Sequence, residues 1–262
     1  MKNNLTAHVM VKNEENFIWF TLKSIIDFVE KILIYDTGST DNTFKIIKSI
    51  KSSKIFFKEY DSQNPKELVA LRNDQIKKTE TQWFLLLDGD EVWPKKSIAA
   101  LTKKIKEIDN QKVGIVVKTI NSVGDIYHQL PQEKGEYRLL GRKGHLNIRA
   151  YKKSPDYFWT GTYPLEGYFD KKNQVFLNDQ DDRLDFLDVS YWHLTHLRRS
   201  SKNFPRRIKY DFGVKIKPQL LPEVFFKKIP PLVNNPLKKA SLIHLLISFL
   251  LSIPRKFKNF LK

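Results

Sequence analysis

The chain has 262 residues, of which 41% are hydrophobic and 13% aromatic, a composition typical of a folded domain rather than a disordered chain. It contains no cysteine, which excludes disulfides, thiolate metal sites and cysteine nucleophiles. Lys and Arg number 46 against 29 Asp and Glu, and this formal charge of +17 predicts an anionic partner such as nucleic acid, a membrane surface or a phosphorylated small molecule, unless it reflects only a lysine-rich solvated surface.

The first part of the chain alternates between predicted strands and predicted helices. Apolar, β-branched runs predict strands at residues 5–11, 31–36, 54–60 and 82–88. Apolar residues at helical spacing and capping residues predict helices at 14–30, 44–51 and 65–79. This alternation indicates βαβ units and a mostly parallel sheet, whose ligands bind beyond the carboxyl ends of the strands.

The second half is less regular. Further strands are predicted at residues 112–121, 146–153 and 186–197. Residues 124–146 are polar and contain glycine, and we interpret them as a mobile loop over the site or as a plain surface connection. A basic helical region is predicted at residues 200–216.

The tail changes character where prolines begin at Pro218, so we expect a domain over residues 1–215 and a basic, helical appendage over 216–262. Its apolar stretch, Leu242 to Ile253, is shorter than the roughly 18–20 residues of a spanning helix. Flanking Lys and Arg favour a helix lying on an anionic membrane, with packing in the core or a dimer as the alternative. The N-terminus shows no signal-peptide pattern, and we expect a cytoplasmic protein at the inner face of the membrane.

The strongest chemical signal is an acidic cluster, Asp88, Asp90 and Glu91, directly after the apolar strand at 82–88. Clustered carboxylates repel one another and usually need a cation. Hard oxygen ligands favour Mg²⁺ or Mn²⁺, which can neutralise charge on a departing diphosphate. A solvated acidic turn is the alternative, but the position after a buried strand favours a metal site.

Two weaker signals follow the first and second predicted strands. Glu14 lies in the string VKNEEN, and Asp36 and Asp41 lie in DTGSTDNT. Carboxylates at these strand ends can accept hydrogen bonds from a nucleoside, which makes all three candidates for nucleotide binding. A helix start and a capped turn are the alternatives.

Taken in order, the strings VKNEEN, ILIYDTGSTDNT, LVALRNDQI and WFLLLDGDE resemble the family-2 glycosyltransferases with the GT-A fold. The resemblance implies an α/β fold with a Rossmann-like, mostly parallel sheet flanked by helices. It implies nucleoside contacts for Glu14 and Asp41, and a position near the diphosphate or uracil for Arg72. It also implies that Asp88 and Asp90 bind ribose and the divalent metal, Mn²⁺ or Mg²⁺.

The resemblance continues loosely into the second half, where NIRAYKKSPDYFWTGTYPLEGYF is similar to a pattern that ends in the general base, here Glu166. Relatives often have His before this Glu, whereas this chain has Leu165. His196, or else His193, is implied as the third metal ligand. Tyr157 and Trp159 are candidates to stack an acceptor sugar or to pack in the core.

These observations predict an inverting, metal-dependent glycosyltransferase in which Asp90 and Glu166 take part in catalysis. We expect a nucleotide-sugar donor, which the resemblance implies is a UDP-sugar, and a saccharide or lipid-linked acceptor in surface-glycan or glycolipid synthesis. A nucleotidyltransferase is disfavoured because VKNEEN is acidic where that class has a glycine-rich basic loop. A nucleic-acid binder leaves the acidic cluster unexplained, so no nucleic-acid partner is expected. The intact acids disfavour a non-catalytic homologue.

Overall fold

The computed structural model describes residues 4–61, 64–197 and 213–252. Its helices are α1 (Ile18–Ile25), α2 (Thr43–Ser49), α3 (Pro65–Lys78), α4 (Lys95–Glu107) and α5 (Leu242–Ser252). Its strands are β1 (Leu5–Val11), β2 (Lys31–Asp36), β3 (Ile55–Glu59), β4 (Trp83–Asp88), β5 (Glu91–Val92), β6 (Gly114–Val123), β7 (Asp125–Gln129), β8 (Tyr137–Leu139), β9 (Arg142–Gly144), β10 (Leu146–Lys152), β11 (Tyr157–Thr160), β12 (Gly167–Asp170), β13 (Val175–Phe176), β14 (Leu184–His196) and β15 (Val214–Lys215).

Ten of these strands form one sheet in the order β15-β7-β6-β10-β4-β1-β2-β3, with β14 beside β6 and β5. The neighbours β4, β1, β2 and β3 are parallel, as the alternation of strands and helices predicts. Strand β10 is antiparallel to both β4 and β6. The predicted α/β class is confirmed, and the ends of β1, β2 and β4 meet at one edge of the sheet.

Strand β4 shows why its sequence is almost wholly apolar. Trp83, Leu85 and Leu87 point into a core formed with helices α1 and α4, whereas Phe84 and Leu86 point into a second core on the other face. Successive side chains of a strand point to opposite faces, and both faces of β4 are covered, so every position is buried or nearly so. The acidic cluster therefore follows a strand that is rigidly held.

The second core contains an aromatic cluster and lies under a small antiparallel sheet of β11, β12 and β13. Tyr168 is its centre, with ring centroids 5.2 Å from Tyr157, 5.3 Å from Trp159 and 5.5 Å from Tyr151. Tyr157 and Trp159 are thus core residues, and Trp159 also lines the cavity described below.

Residues 124–146, predicted as a mobile loop, contain regular structure instead. Strand β7 pairs with β6, and β8 and β9 form a two-residue hairpin through Leu140 and Gly141. Both turn residues have positive φ, 53° and 67°, which is the backbone of a type I′ turn. This hairpin was not predicted from the sequence because Leu occupies a turn position where Asn or Asp is usual.

Two other predictions differ from the structure at their ends. Helix α1 begins at Ile18 and ends at Ile25, inside the predicted span 14–30. Most of the predicted basic helix at 200–216 lies outside the described residues, and its described end includes strand β15, which pairs with β7.

The described tail packs on the domain before it reaches α5. Val224, Phe225 and Val233 are buried in the first core, where the Phe225 ring lies 5.6 Å from that of Phe20. The boundary between residues 215 and 216 stays a prediction. Within the described residues, no helix is both long and apolar enough to cross a bilayer.

Candidate active site

A polar rim, residues 12–15 and 36–43, follows the carboxyl ends of β1 and β2. Asp36 is buried, and its Oδ1 accepts from the backbone N–H groups of Gly38 at 3.1 Å and Ser39 at 2.8 Å. Gly38 has a φ of 98°, which suits glycine and allows this tight turn. Burial raises the pKa of the Asp36 carboxyl, although the hydrogen bonds from Ser39 and Gly38 oppose the rise.

The other predicted nucleotide ligands lie in the same rim. Asp41 Oδ1 accepts from the backbone N–H of Thr43 at 2.9 Å and Oδ2 accepts from that of Glu15 at 3.2 Å. Glu14 is buried, and its backbone N–H donates to the Thr43 hydroxyl at 2.7 Å. The structure thus brings Glu14 and Asp41 together through Thr43, at the start of α2. Their contacts with a nucleoside stay a prediction.

The acidic cluster lies beside the rim and meets strand β14. One oxygen each of Asp88 and Glu91 and one ring nitrogen of His193 lie within 4.8 Å of one another, a group compact enough for a metal ion. Glu91 and His193 are paired residues of the neighbouring strands β5 and β14. The His193 Nε2 is also 3.5 Å from Asp90 Oδ2.

The predicted ligands therefore differ in their surroundings. Asp88, Asp90 and His193 come together, whereas His196 faces Val123 of β6 beyond an irregularity in β14 and lies outside the compact group. Burial by itself lowers the pKa of His193, but the neighbouring carboxylates, Asp90 foremost, raise it above its usual value.

Arg149 of β10 is a component that the sequence reasoning missed. Its Nη2 makes a buried ion pair with Glu91 and lies 3.6 Å from Asp88 Oδ2, and its Nε donates to the Tyr191 hydroxyl at 2.9 Å. Glu91 is 0% exposed, and burial raises the pKa of its carboxyl to about 8 although Arg149 lowers it. A lone Arg in the apolar strand LNIRAY was the available signal, because buried Arg is rare unless paired.

A cavity of about 480 Å³ opens between the acidic cluster and the β11–β12 hairpin, residues 157–170. Asp88 and Arg149 line one side of it, and the hairpin β8–β9 contributes Tyr137 and Arg138. The predicted loop at 124–146 therefore does reach the cavity, as part of a hairpin. The cavity is large enough for sugar groups, and its lining is mostly polar or aromatic.

Glu166 lies in this cavity wall and is bound by Arg72. The Arg72 Nε donates to Glu166 Oε1 at 2.8 Å, and the two side chains are only 5% and 7% exposed. The Arg72 guanidinium carbon is 5.7 Å from the centre of the Trp159 ring. From the sequence, Glu166 is assigned to proton removal and Arg72 to the region of the diphosphate or uracil. In the structure, the two side chains bind each other.

The family model for Glycosyl transferase family 2 matches residues 6–163, well over half of the chain. The chain belongs to this family. The predicted family is confirmed. The matched segment includes the polar rim, the acidic cluster and Arg149, but it ends before Glu166 and His193.

A glycosyltransferase of Mycoplasma genitalium, itself described as uncharacterized, is 30% identical over 110 residues. The match covers 38% of this chain and 36% of that one, so the chain spans just over a third of the relative. Residues 1–349 of S. aureus TarS align at 18% identity, with a TM-score of 0.53 for the complex with UDP-GlcNAc and 0.50 for another crystal structure. These alignments cover 78% and 74% of this chain and 61% of TarS 1–349 in each case. They show a shared fold, and the GT-A prediction is confirmed.

Proposed function

We propose that the protein transfers a sugar from a nucleoside-diphosphate donor, a UDP-sugar, to a hydroxyl acceptor with inversion at the anomeric carbon. The observation that carries this proposal is a carboxylate–histidine group, Asp88, Glu91 and His193, that lies beside the polar rim and reaches, through Asp88, a cavity whose wall holds Glu166. This arrangement offers groups that could bind a metal, a nucleotide and an acceptor.

The donor atoms near the acidic cluster fit a divalent metal. Carboxylate oxygens suit Mg²⁺ and Mn²⁺, and an imidazole among them favours Mn²⁺. Glu91 is already matched by the guanidinium of Arg149, so we propose Asp88, Asp90 and His193 as the residues that hold the ion. When bound, the ion supplies positive charge that stabilises the leaving diphosphate.

The remaining roles in the reaction are assigned to other residues of the chain. The rim carboxylates Glu14, Asp36 and Asp41 are proposed to position the nucleoside, and Arg149 keeps Glu91 and Asp88 in place. Glu166 is proposed to take the proton of the acceptor hydroxyl while that oxygen attacks the anomeric carbon and the bond to the diphosphate breaks. A single displacement of this kind inverts the anomeric carbon.

The uridine base is proposed on two grounds. The sequence resemblance implies it, and TarS, which has the same fold, has been crystallised with UDP-GlcNAc. The acceptor is proposed to be a saccharide or a lipid-linked saccharide of the cell surface. The polar and aromatic cavity lining fits the sugar part of either one.

Thermal-shift screening and calorimetry against UDP-, GDP- and CMP-sugars, with and without Mn²⁺, test the donor and the metal. We expect UDP-sugars to stabilise the protein against thermal unfolding. We expect Mn²⁺ to increase the affinity for UDP-sugars at least several-fold. Asp90→Asn should abolish the Mn²⁺ effect and donor turnover, with Asp109→Asn, at an exposed turn after α4, as a control outside the site. Full Mn²⁺-dependent turnover by Asp90→Asn would end the metal assignment.

We also propose that α5 binds an anionic membrane surface at the cytoplasmic face. Leu242 and Leu246 are 79% and 62% exposed, while Ser248 of the same helix is buried. Exposed Lys238 and Lys239 directly precede the helix, so apolar and cationic groups lie side by side. This combination suits the interface of a bilayer that contains acidic lipids.

Flotation with vesicles of acidic phospholipid tests this surface. We expect Leu242→Asp/Leu246→Asp to lose most of the bound fraction, whereas Leu220→Asp, which replaces another exposed Leu outside the helix, should keep it. Truncation after Pro236 should also release the protein. Unchanged flotation by these variants, or a dimer in solution that the double substitution dissociates, would contradict the proposal.

A further inference from the structure

Two consecutive residues of α3 hold the β11–β12 hairpin. Asn73 Nδ2 donates to the carbonyl of Trp159 at 2.8 Å, and Asn73 Oδ1 accepts from the N–H of the same residue at 2.8 Å. Arg72 donates to Glu166 at the other end of the hairpin's connecting loop. One helix thus fixes both strand β11 and the candidate base that follows it.

Helix α3 is itself anchored to the parallel part of the sheet. Gln75 is buried, and its Nε2 donates to the carbonyls of Val9 in β1 at 3.2 Å and Leu33 in β2 at 2.9 Å. The same two strands lead into the polar rim. A rigid path of hydrogen bonds therefore runs from the strands that carry the rim, through α3, to the hairpin that carries Glu166.

The ion pair between Arg72 and Glu166 is incomplete in an informative way. Arg72 Nη1 and Glu166 Oε2 are both buried, and neither has a hydrogen-bond partner among the described residues. Buried polar atoms are nearly always paired, so unpaired ones in a cavity wall indicate atoms that a ligand completes. With Oε1 held by Arg72, Oε2 is the carboxylate oxygen left for an acceptor hydroxyl.

We propose that Arg72 and Asn73 are positioning residues, which fix the orientation of Glu166 toward the acceptor rather than bind the donor diphosphate. The inference rests on the proposed function, since it takes Glu166 as the base. It differs from the expectation drawn from the family resemblance, in which Arg72 lies at the diphosphate or uracil. The two roles make opposite predictions for nucleotide affinity.

The test compares Arg72→Met, Arg72→Lys and Asn73→Leu with Lys77→Met, which removes a cation from an exposed position of the same helix. Calorimetry with UDP and Mn²⁺ gives the affinity, and UDP release from UDP-GlcNAc, with water or a sugar as acceptor, gives kcat and KM. We expect Arg72→Met and Asn73→Leu to lower kcat tenfold or more, with UDP affinity and donor KM within threefold of wild type. Arg72→Lys should recover part of kcat because its ammonium can still donate to Glu166, and Lys77→Met should behave as wild type.

The combination with Glu166→Gln separates positioning from an independent role. If Arg72 acts through Glu166, Arg72→Met should lower kcat little further in a Glu166→Gln background. Fully additive effects, or a tenfold loss of UDP affinity in Arg72→Met with kcat retained, would overturn the inference and leave the proposed function intact. A wild-type protein that binds no nucleotide and releases no UDP would instead end the proposed function together with this inference.

Discussion

The polar rim borders the acidic cluster, the β11–β12 hairpin lines the cavity next to that cluster, and the two regions are built in different ways. Hydrogen bonds from backbone N–H groups to side chains such as Asp36 and Asp41 hold the rim, some of them within a few residues and others between its two segments. The hairpin is held by aromatic packing around Tyr168 and by two side chains from α3, far away in sequence. The difference indicates that substitutions in the rim should mainly affect ligand binding, whereas substitutions in the aromatic packing under the hairpin should mainly affect stability.

The largest effect should come from the ion pair between Glu91 and Arg149, next to the cavity. Arg149→Met leaves the buried carboxyl group of Glu91 without its guanidinium partner, a change that costs about 4 kcal/mol in such sites. Urea unfolding monitored by circular dichroism measures this loss. The double variant Glu91→Gln/Arg149→Met should be more stable than Arg149→Met alone, because no buried charge is left, and a double variant that is less stable would refute the explanation.

The second effect concerns the aromatic core under the hairpin. Tyr168→Ala removes a fully buried ring that contacts four other aromatic side chains, and we expect a loss of about 3 kcal/mol in unfolding free energy. Tyr168→Phe is the matched control, since it keeps the ring and loses only the hydroxyl, whose hydrogen bond to the Lys152 carbonyl is worth about 1 kcal/mol. Equal losses of unfolding free energy in the two variants would mean that aromatic packing does not stabilise the hairpin.

The same division explains what the sequence could predict. The rim and the acidic cluster follow strands and helices whose periodicity is visible within a few residues, so Asp36, Asp41 and Asp88 could be assigned to one edge of the sheet. The pairs Glu91–Arg149 and Arg72–Glu166 join residues 58 and 94 positions apart. Such pairing depends on how β10 and the hairpin return to the sheet, and no local pattern encodes it. The same holds for His193 and His196, since the irregularity in β14 decides which of them faces the acids.

The third prediction moves to the rim. Asp41→Ala removes an acceptor for the backbone N–H and the hydroxyl of Thr43, and losing hydrogen bonds of this kind costs about 1 kcal/mol. If Asp41 also contacts the nucleoside, UDP affinity measured by calorimetry should fall tenfold or more. Asp41→Asn keeps the accepting oxygen and should recover most of the stability. Unchanged UDP affinity in Asp41→Ala would restrict this residue to its structural role in the turn before α2.

The smallest effect comes from His8, which lies between the two regions. Its ring stacks on Phe84 at 4.4 Å, Phe84 stacks in turn on Tyr151 at 5.4 Å, and a ring nitrogen is 2.5 Å from the Thr79 hydroxyl. Burial lowers the pKa of His8 well below its usual value, and the nearby charges of Arg72 and Lys153 add to this.

The sign of the resulting pH dependence follows from proton binding. Well above pH 6.5, His8 is neutral in both the folded and unfolded states, so it contributes no pH dependence. As the pH falls from 7.5 to 6, only the unfolded state takes up the proton, and the free energy of unfolding should fall by about 0.8 kcal/mol. In His8→Phe this component should vanish, because phenylalanine does not bind a proton. The fold should be kept, because the ring still packs and the Thr79 hydroxyl still donates to the Gln75 carbonyl. Urea unfolding of both proteins at pH 7.5 and pH 6 isolates the effect as a difference of differences. An identical pH response in wild type and His8→Phe would mean that His8 is solvated in the folded protein. The aromatic stack of His8, Phe84 and Tyr151 would then not be packed as closely as these contacts indicate.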